Sequence, residues 1–145
     1  MRRLKFNGIP SERITCEKSV PRIEYLAAHA NVDIILDTFP FTGGTTTCEA
    51  LWMGVPTLTL LGESMIGRQG ASLLACAGMK DWICKDEEEY VAKAAAYAAD
   101  LENLAKLRTG LRQKIMASPL FDGPRFARDF EAAMLGMWLS YKEKN

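Results

Sequence analysis

The residues whose types and spacing suit a chemical task lie between positions 37 and 56. Gly43 and Gly44 precede three consecutive threonines, and Glu49 follows Thr45 by four positions. The free N–H groups at the start of a helix attract a phosphate, and glycines let the backbone approach it closely. A helix places Thr45, Thr46 and Glu49 on one face, where the carboxylate can accept hydrogen bonds from the two hydroxyls of a ribose. The segment therefore predicts a phosphate and ribose site.

A plainer interpretation of the same residues stays open, in which Thr45 is an ordinary helix N-cap and the two glycines form an ordinary turn. Neither G-x-G-x-x-G nor Gly-Lys-Ser/Thr occurs in the chain, which argues against redox-cofactor and nucleoside-triphosphatase motifs. Asp37 is expected to cap the loop or to orient Thr38. His29 is expected to face solvent or to pack, and Arg68, at the start of a predicted helix, is a weaker phosphate candidate.

The elements that must position these residues alternate between strand and helix up to about position 85. Strands are predicted at 13–16, 32–36 and 57–61, with a short edge strand at 81–84, and helices at 21–30, 45–53 and 68–77. Gly54 and Gly78 follow two of these helices, as a left-handed cap requires. Short connections rich in Gly and Pro indicate βαβ units and a parallel sheet, with strand 32–36 buried and its carboxyl end facing the ligand loop.

The chain from position 86 onward is predicted to be largely helical. A nearly continuous helix is expected over 86–116, with a candidate break at Gly110, followed by an interruption at 119–124 and a final helix over 125–142. The final helix carries an apolar stripe, which is expected to pack in the core. Its members are Phe126, Phe130, Met134, Met137, Trp138 and Tyr141.

Length and composition argue against several classes of protein. The 145 residues suit one domain, and 18 basic against 18 acidic residues argue against a dedicated nucleic-acid binder. No apolar run approaches the roughly 20 residues of a membrane span, and no secretory signal is recognised. The four cysteines lack metal-ligand spacing, so reduced cysteines packed as small apolar residues in a cytoplasmic protein are expected.

The run GGTTTCEALWMGVP (43–56), preceded by LDT (36–38), resembles a known family. It is similar to the C-terminal catalytic half of the O-linked N-acetylglucosamine transferases, and more closely to their bacterial tetratricopeptide-linked relatives of GT-B fold. The resemblance extends from GIPSERI (8–14) to SPLFD (118–122), nearly the whole chain. It implies an α/β fold with a Rossmann-like parallel sheet flanked by helices, as one donor-binding domain over 1–145 with a helical tail over about 86–145. It also implies an alternative for the final helix, which in GT-B enzymes often reaches back to the N-terminal domain and leaves its apolar stripe exposed where that domain is absent.

The resemblance also assigns roles to residues of the glycine and threonine segment. The pair that matches Thr45 and Thr46 binds the donor diphosphate, next to Gly43. The acid that matches Glu49 holds the ribose. Human-type enzymes carry Asp at that position, one methylene shorter and chemically equivalent.

Four further positions follow from the resemblance. The backbone around Val20 and the basic side chain of Arg22 match positions that read the uracil and ribose. Gly44 and Tyr25 depart from the human-type enzymes, which carry histidines beside the nucleotide at both positions. A tyrosine can still stack on a base, whereas the contact at Gly44 is missing.

The resemblance implies the donor-binding half of a transferase that moves N-acetylglucosamine from UDP to a protein Ser/Thr hydroxyl. The general base and the lysine on the diphosphate would lie outside this chain, which carries no catalytic residue of its own and needs no metal or other cofactor. The expected partners are a nucleotide-sugar donor, a protein acceptor, an N-terminal GT-B domain and tetratricopeptide repeats. Two alternatives remain: a non-catalytic interaction module with a relic nucleotide pocket, and half of a nucleotide-sugar epimerase.

Overall fold

The sheet consists of three short parallel strands in a computed structural model that describes residues 4 and 6–144. Strands β1 (Ile35–Leu36), β2 (Thr57–Leu60) and β3 (Ile83–Cys84) lie in that order, with β2 in the centre. Ile35 lies opposite Thr57, and Thr59 lies opposite Ile83. The predicted parallel sheet with an edge strand near 81–84 is confirmed.

Helices connect and flank the strands in the predicted order. Their bounds are α1 Arg22–Ala28, α2 Thr45–Trp52, α3 Gln69–Cys76, α4 Glu87–Ala99, α5 Leu101–Met116 and α6 Gly123–Lys144. Gly54 and Gly78 follow α2 and α3 with φ of 79° and 68°, left-handed values that favour glycine. The sequence therefore predicted both helix ends correctly.

The core lies where α2, α3, α4 and α5 meet the sheet. Fully buried side chains come from the helices and from β2: Leu51, Leu58, Leu74, Leu111 and Ile115. The Trp82 and Tyr97 rings pack at 4.4 Å between centroids on the β3 side. Because β2 is covered by helices and flanked by both other strands, it is the best-buried part of the sheet.

Two strand predictions near the N-terminus need correction. Residues 13–16 form no strand: Ser11–Arg13 is a 3₁₀ turn, and Ile14 is extended without a strand partner among the described residues. The strand expected at 32–36 shortens to Ile35–Leu36 at the edge of the sheet, with Leu36 exposed rather than buried. An apolar extended run becomes a buried strand only where another strand and a covering layer meet it.

The helix predicted over 86–116 breaks at Asp100 and not at Gly110. The Asp100 carboxylate accepts hydrogen bonds from the backbone N–H and the side-chain amide of Asn103, at 3.2 and 2.7 Å. It therefore caps the N-terminus of α5. Gly110 lies inside α5, where it costs about 1 kcal/mol of helix propensity but breaks no hydrogen bond.

The expectation that the final helix packs in the core is wrong for the described residues. Helix α6 buries none of its side chains: Phe126 is 68% exposed and Trp138 57% exposed. Its main contact is with the turn Pro119–Phe121. The alternative expectation, an exposed apolar stripe, is the one that the structure bears out.

The cysteines are free thiols, but only Cys84 is fully buried. Cys16 and Cys76 are exposed, so the expected packing as small apolar residues is wrong for them. Within the described residues, no helix is both long and apolar enough to cross a bilayer.

Candidate functional site

The N-terminus of α2 opens at the carboxyl end of β1. Gly44 is its N-cap residue, with φ −108° and ψ −90°, and no side chain caps the helix. Thr45 is therefore the first helical residue and not the N-cap, which corrects the plainer interpretation of the sequence. Thr45 and Thr46 are exposed, whereas Thr47 is buried. The first turn of α2 thus combines uncapped N–H groups with two exposed threonines.

Asp37 holds the loop that leads into α2. Its Oδ1 accepts a 2.7 Å hydrogen bond from the Gly43 N–H, and its Oδ2 accepts a 2.7 Å bond from the Thr59 hydroxyl. The Tyr90 hydroxyl donates to the Asp37 carbonyl at 2.8 Å. Burial, together with the nearby Asp37 charge, raises the pKa of Tyr90 to about 12, so this donor keeps its proton. The prediction that Asp37 caps the loop is confirmed.

Thr42 ties the same loop to α3, a role that the sequence analysis missed. Its hydroxyl donates to the Ile66 carbonyl at 2.8 Å and accepts from the Gly70 N–H at 3.0 Å, and the residue is 1% exposed. A Cβ on Gly70 would lie 2.5 Å from Asp37 Oδ2, so α3 packs directly on that carboxylate. No local pattern marks a loop threonine for such a contact, because its partners lie 24 and 28 positions away.

A groove of about 460 Å³ opens beside the first two turns of α2. Within it, Glu49 Oε1 lies 2.8 Å from Arg22 Nη1; the Glu49 side chain is 12% exposed and that of Arg22 71% exposed. The groove is lined by Arg22, Leu26, Thr45, Cys48, Glu49, Trp52 and Phe121. The structure thus brings together three of the residues singled out in the sequence. Thr45 and Glu49 share the face that lines the groove, whereas Thr46, the third member of the predicted face, does not line it.

The apolar end of the groove was not predicted. The centroids of the Trp52 and Phe121 rings are 5.3 Å apart, and the Arg112 guanidinium lies over the Trp52 ring, 4.5 Å from its centroid. Trp52 follows Glu49 by three positions, so helical spacing was a usable signal for it. Phe121 lies 69 positions after Trp52 in the sequence, and only the fold brings its ring into contact with that of Trp52.

Tyr25 lies close to the Glu49 carboxylate. Burial, and then the Glu49 charge, raises the pKa of the Tyr25 phenol. Its ring meets the His29 ring edge-on at 5.0 Å, and His29 is buried with Nδ1 3.0 Å from the Tyr25 carbonyl. His29 therefore packs, one of the two outcomes expected for it.

Two other residues from the sequence analysis stand apart from the groove. Val20 is half-exposed just before α1, and its contact with a base stays a prediction. Arg68 ends a 3₁₀ turn before α3 rather than opening that helix, and it is exposed. Among residues 4 and 6–144, no cluster of three or more His, Cys, Asp or Glu side chains is placed to hold a metal ion.

Known proteins match this chain in both sequence and structure. Residues 1–130 match the family described as Glycosyl transferase family 41. The tomato (Solanum lycopersicum) protein "Probable UDP-N-acetylglucosamine--peptide N-acetylglucosaminyltransferase SPINDLY" is 42% identical over 118 residues, which cover 81% of this chain and 13% of that protein. The Caenorhabditis elegans "UDP-N-acetylglucosamine--peptide N-acetylglucosaminyltransferase" is 30% identical over 135 residues, which cover 93% of this chain and 12% of that protein.

A solved structure agrees. A mutant of the Thermobaculum terrenum O-GlcNAc transferase superposes with a TM-score of 0.87 at 39% identity, over 94% of this chain and 26% of that one. The fold is accordingly the α/β fold expected for part of a GT-B glycosyltransferase, with a helical C-terminal region. The chain spans only 12–13% of the length of these two curated relatives. On the match over residues 1–130, the chain belongs to glycosyl transferase family 41.

Proposed function

We propose that this chain forms the donor-binding half of a glycosyltransferase that moves N-acetylglucosamine from UDP to a Ser/Thr hydroxyl of a protein. The observation that carries the proposal is the uncapped N-terminus of α2 next to the paired Glu49 and Arg22 side chains. The names of the relatives support the choice of donor and of a peptide acceptor.

The donor diphosphate binds at the N-terminus of α2. Thr45 and Thr46 are exposed in the first turn of the helix, where no side chain caps the N–H groups and the helix dipole favours an anion. A Cβ on Gly43 would lie 2.6 Å from Thr47 Oγ1 and 2.9 Å from Thr46 Oγ1, so glycine is required for the tight turn. These preorganised donors stabilise the charge that grows on the leaving diphosphate.

Glu49 binds the ribose hydroxyls from its position one turn along α2. Arg22 holds one carboxylate oxygen at 2.8 Å, but the Arg22 side chain is largely exposed and free to move. A carboxylate has about four acceptor positions, so two ribose hydroxyls can bind while Arg22 stays paired or turns to the phosphates. Arg22 thereby orients the carboxylate before the donor arrives.

The remaining parts of the transferase are proposed to lie outside these 145 residues. They are the N-terminal GT-B domain with the general base, and tetratricopeptide repeats. We propose that the reaction needs no metal, because helix N–H groups take the role that a cation has in other transferases. Addition of a chelator such as EDTA is then expected to leave the sugar-transfer rate of the intact protein unchanged, and a loss of rate that Mg²⁺ or Mn²⁺ restores would contradict this.

Calorimetric titration with UDP and UDP-N-acetylglucosamine tests the donor site. Glu49→Ala and Thr46→Ala are each expected to weaken binding about tenfold or more, because each removes a hydrogen bond to the ligand. Matched controls are Glu102→Ala and Thr109→Ala on the exposed face of α5, which are expected to bind as wild type does. Equal affinities of all variants and the wild type would contradict the site assignment.

The exposed apolar stripe of α6 favours a second candidate, a non-catalytic interaction module. Transfer of labelled sugar from UDP-N-acetylglucosamine to peptide by the intact protein separates the two functions. A transferase incorporates label and loses it in Glu49→Ala, whereas an interaction module incorporates none in either protein. An epimerised free sugar would instead support the epimerase alternative.

A further inference from the structure

Gln69, the first residue of α3, lies against the N-terminus of α2. A Cβ built on Gly44 would come within 2.6 Å of Gln69 Nε2, 3.0 Å of Cδ and 3.2 Å of Oε1. The whole carboxamide therefore occupies the space that a side chain at Gly44 would take. Gly44 is the N-cap residue of α2, so this amide lies at the helix end where the diphosphate is proposed to bind.

The Gln69 amide is free to meet a ligand. The residue is exposed and also borders an open groove of about 780 Å³ between α3 and β3. Across residues 4 and 6–144, the carboxamide makes no hydrogen bond. Two N–H donors therefore stand unused beside an uncapped helix terminus.

Hydrogen bonds fix the position of the Gln69 backbone relative to the loop that carries Gly44. The next residue, Gly70, donates its N–H to the buried Thr42 hydroxyl, and it packs against Asp37. Asp37 in turn accepts the Gly43 N–H. Because one buried network fixes both segments, the distance between the Gln69 side chain and the α2 terminus is set by the fold.

We propose that Gln69 is a donor-binding residue whose amide N–H groups hydrogen-bond the diphosphate held at the N-terminus of α2. This inference rests on the proposed function. Unlike a Lys or Arg, the amide adds directed hydrogen bonds without adding a positive charge. Its contribution therefore depends on the phosphates of the ligand and not on the base or the ribose.

The test compares the binding of UDP and of uridine to the intact protein. Gln69→Leu keeps the approximate size of the side chain but removes the N–H groups, and it is expected to weaken UDP binding about tenfold while leaving uridine binding unchanged. Gln69→Glu puts an anion at the same place and is expected to weaken UDP binding further. Gln113→Leu, at an exposed glutamine of α5, is the matched control and is expected to bind as wild type does.

Gly44→Ala provides a second, independent perturbation. Its methyl group displaces the carboxamide, so the loss of UDP affinity in the double variant Gly44→Ala/Gln69→Leu is expected to be smaller than the product of the two single losses. Unchanged UDP affinity in Gln69→Leu, or equal losses for UDP and uridine, would overturn the inference. If Glu49→Ala still weakens UDP binding in that case, the proposed function stands without it. If the wild type binds neither ligand, the proposed function fails and the inference fails with it.

Discussion

Two regions of the molecule reverse the usual rule that polar residues lie outside and apolar residues inside. Around the loop between β1 and α2, Thr42 is 1% exposed and Thr59 0% exposed. Along α6, the rings of Phe126 and Trp138 are more than half exposed. The polar residues are buried because each finds a hydrogen-bond partner, whereas no element of the described chain covers the apolar ones. The loop is thus held by buried hydrogen bonds, and that rigidity positions the α2 terminus.

The largest effect is expected from the centre of the buried network. Asp37→Ala leaves the Gly43 N–H and the Thr59 hydroxyl without an acceptor, and it should lower the free energy of unfolding by about 3 kcal/mol. Equilibrium urea denaturation measures this value. The control is Asp129→Ala on α6, an exposed residue paired with Arg125 at 3.6 Å, where a change below about 0.5 kcal/mol is expected. Similar losses of unfolding free energy for Asp37→Ala and Asp129→Ala would contradict the proposed difference between the buried loop network and the exposed helix α6.

A smaller loss is expected at the bridge from the loop to α3. Thr42→Val keeps the shape of the side chain but leaves the Ile66 carbonyl and the Gly70 N–H without their partner, at a cost of about 2 kcal/mol. Thr109→Val, at an exposed hydroxyl that donates to the Ala105 carbonyl, should cost much less in the same denaturation experiment. An unchanged unfolding midpoint for Thr42→Val would mean that this bridge does not hold the loop.

An exposed polar contact should contribute less to folding stability than a buried one. The side-chain amide and then the backbone N–H of Asn103 hold the pKa of Asp100 below its ordinary value. Stability from this cap is therefore fully present above the ordinary Asp value of about 3.9 and is lost as the pH falls through the lower folded value. Thermal unfolding from pH 6 to pH 2 should show a smaller acid-induced decrease in melting temperature for Asp100→Ala than for the wild type. Parallel pH profiles for the two proteins would contradict the capping role.

The smallest effect is expected on α6. Phe130→Ala should change the free energy of unfolding of the 145-residue chain by less than about 0.5 kcal/mol, because the ring is already exposed. Leu51→Ala, at a fully buried position of α2, should cost about 2–5 kcal/mol in the same assay. If Phe130→Ala lowers the free energy of unfolding as much as Leu51→Ala does, the Phe130 ring must be packed in the folded protein, which would contradict the exposed stripe.

The features that the sequence predicted well depend on neighbours along the chain. Gly54 and Gly78 end helices because glycine adopts the left-handed backbone conformation found there without strain. Thr45 and Glu49 share a face because helical periodicity requires it. The site residues of α2 were accessible to sequence reasoning for the same reason.

The features that the sequence did not predict depend on distant partners. The helix break at Asp100 rather than Gly110 is the exception, because the partner of Asp100, Asn103, lies only three positions away. Gln69 meets Gly44 from 25 positions away, and Thr42 meets Gly70 from 28 positions away. Neither pairing has a local signature.

Local patterns along the chain were enough to specify the order of strands and helices after residue 20, the loop before α2 and the polar face of α2. These follow from local backbone preferences and from periodicity. Contacts between distant parts of the chain set which polar residues are buried, which apolar face is left uncovered and which side chains reach the α2 terminus from other elements. Burial and long-range hydrogen bonds depend on what the fold brings into contact, and that information is not local in the chain.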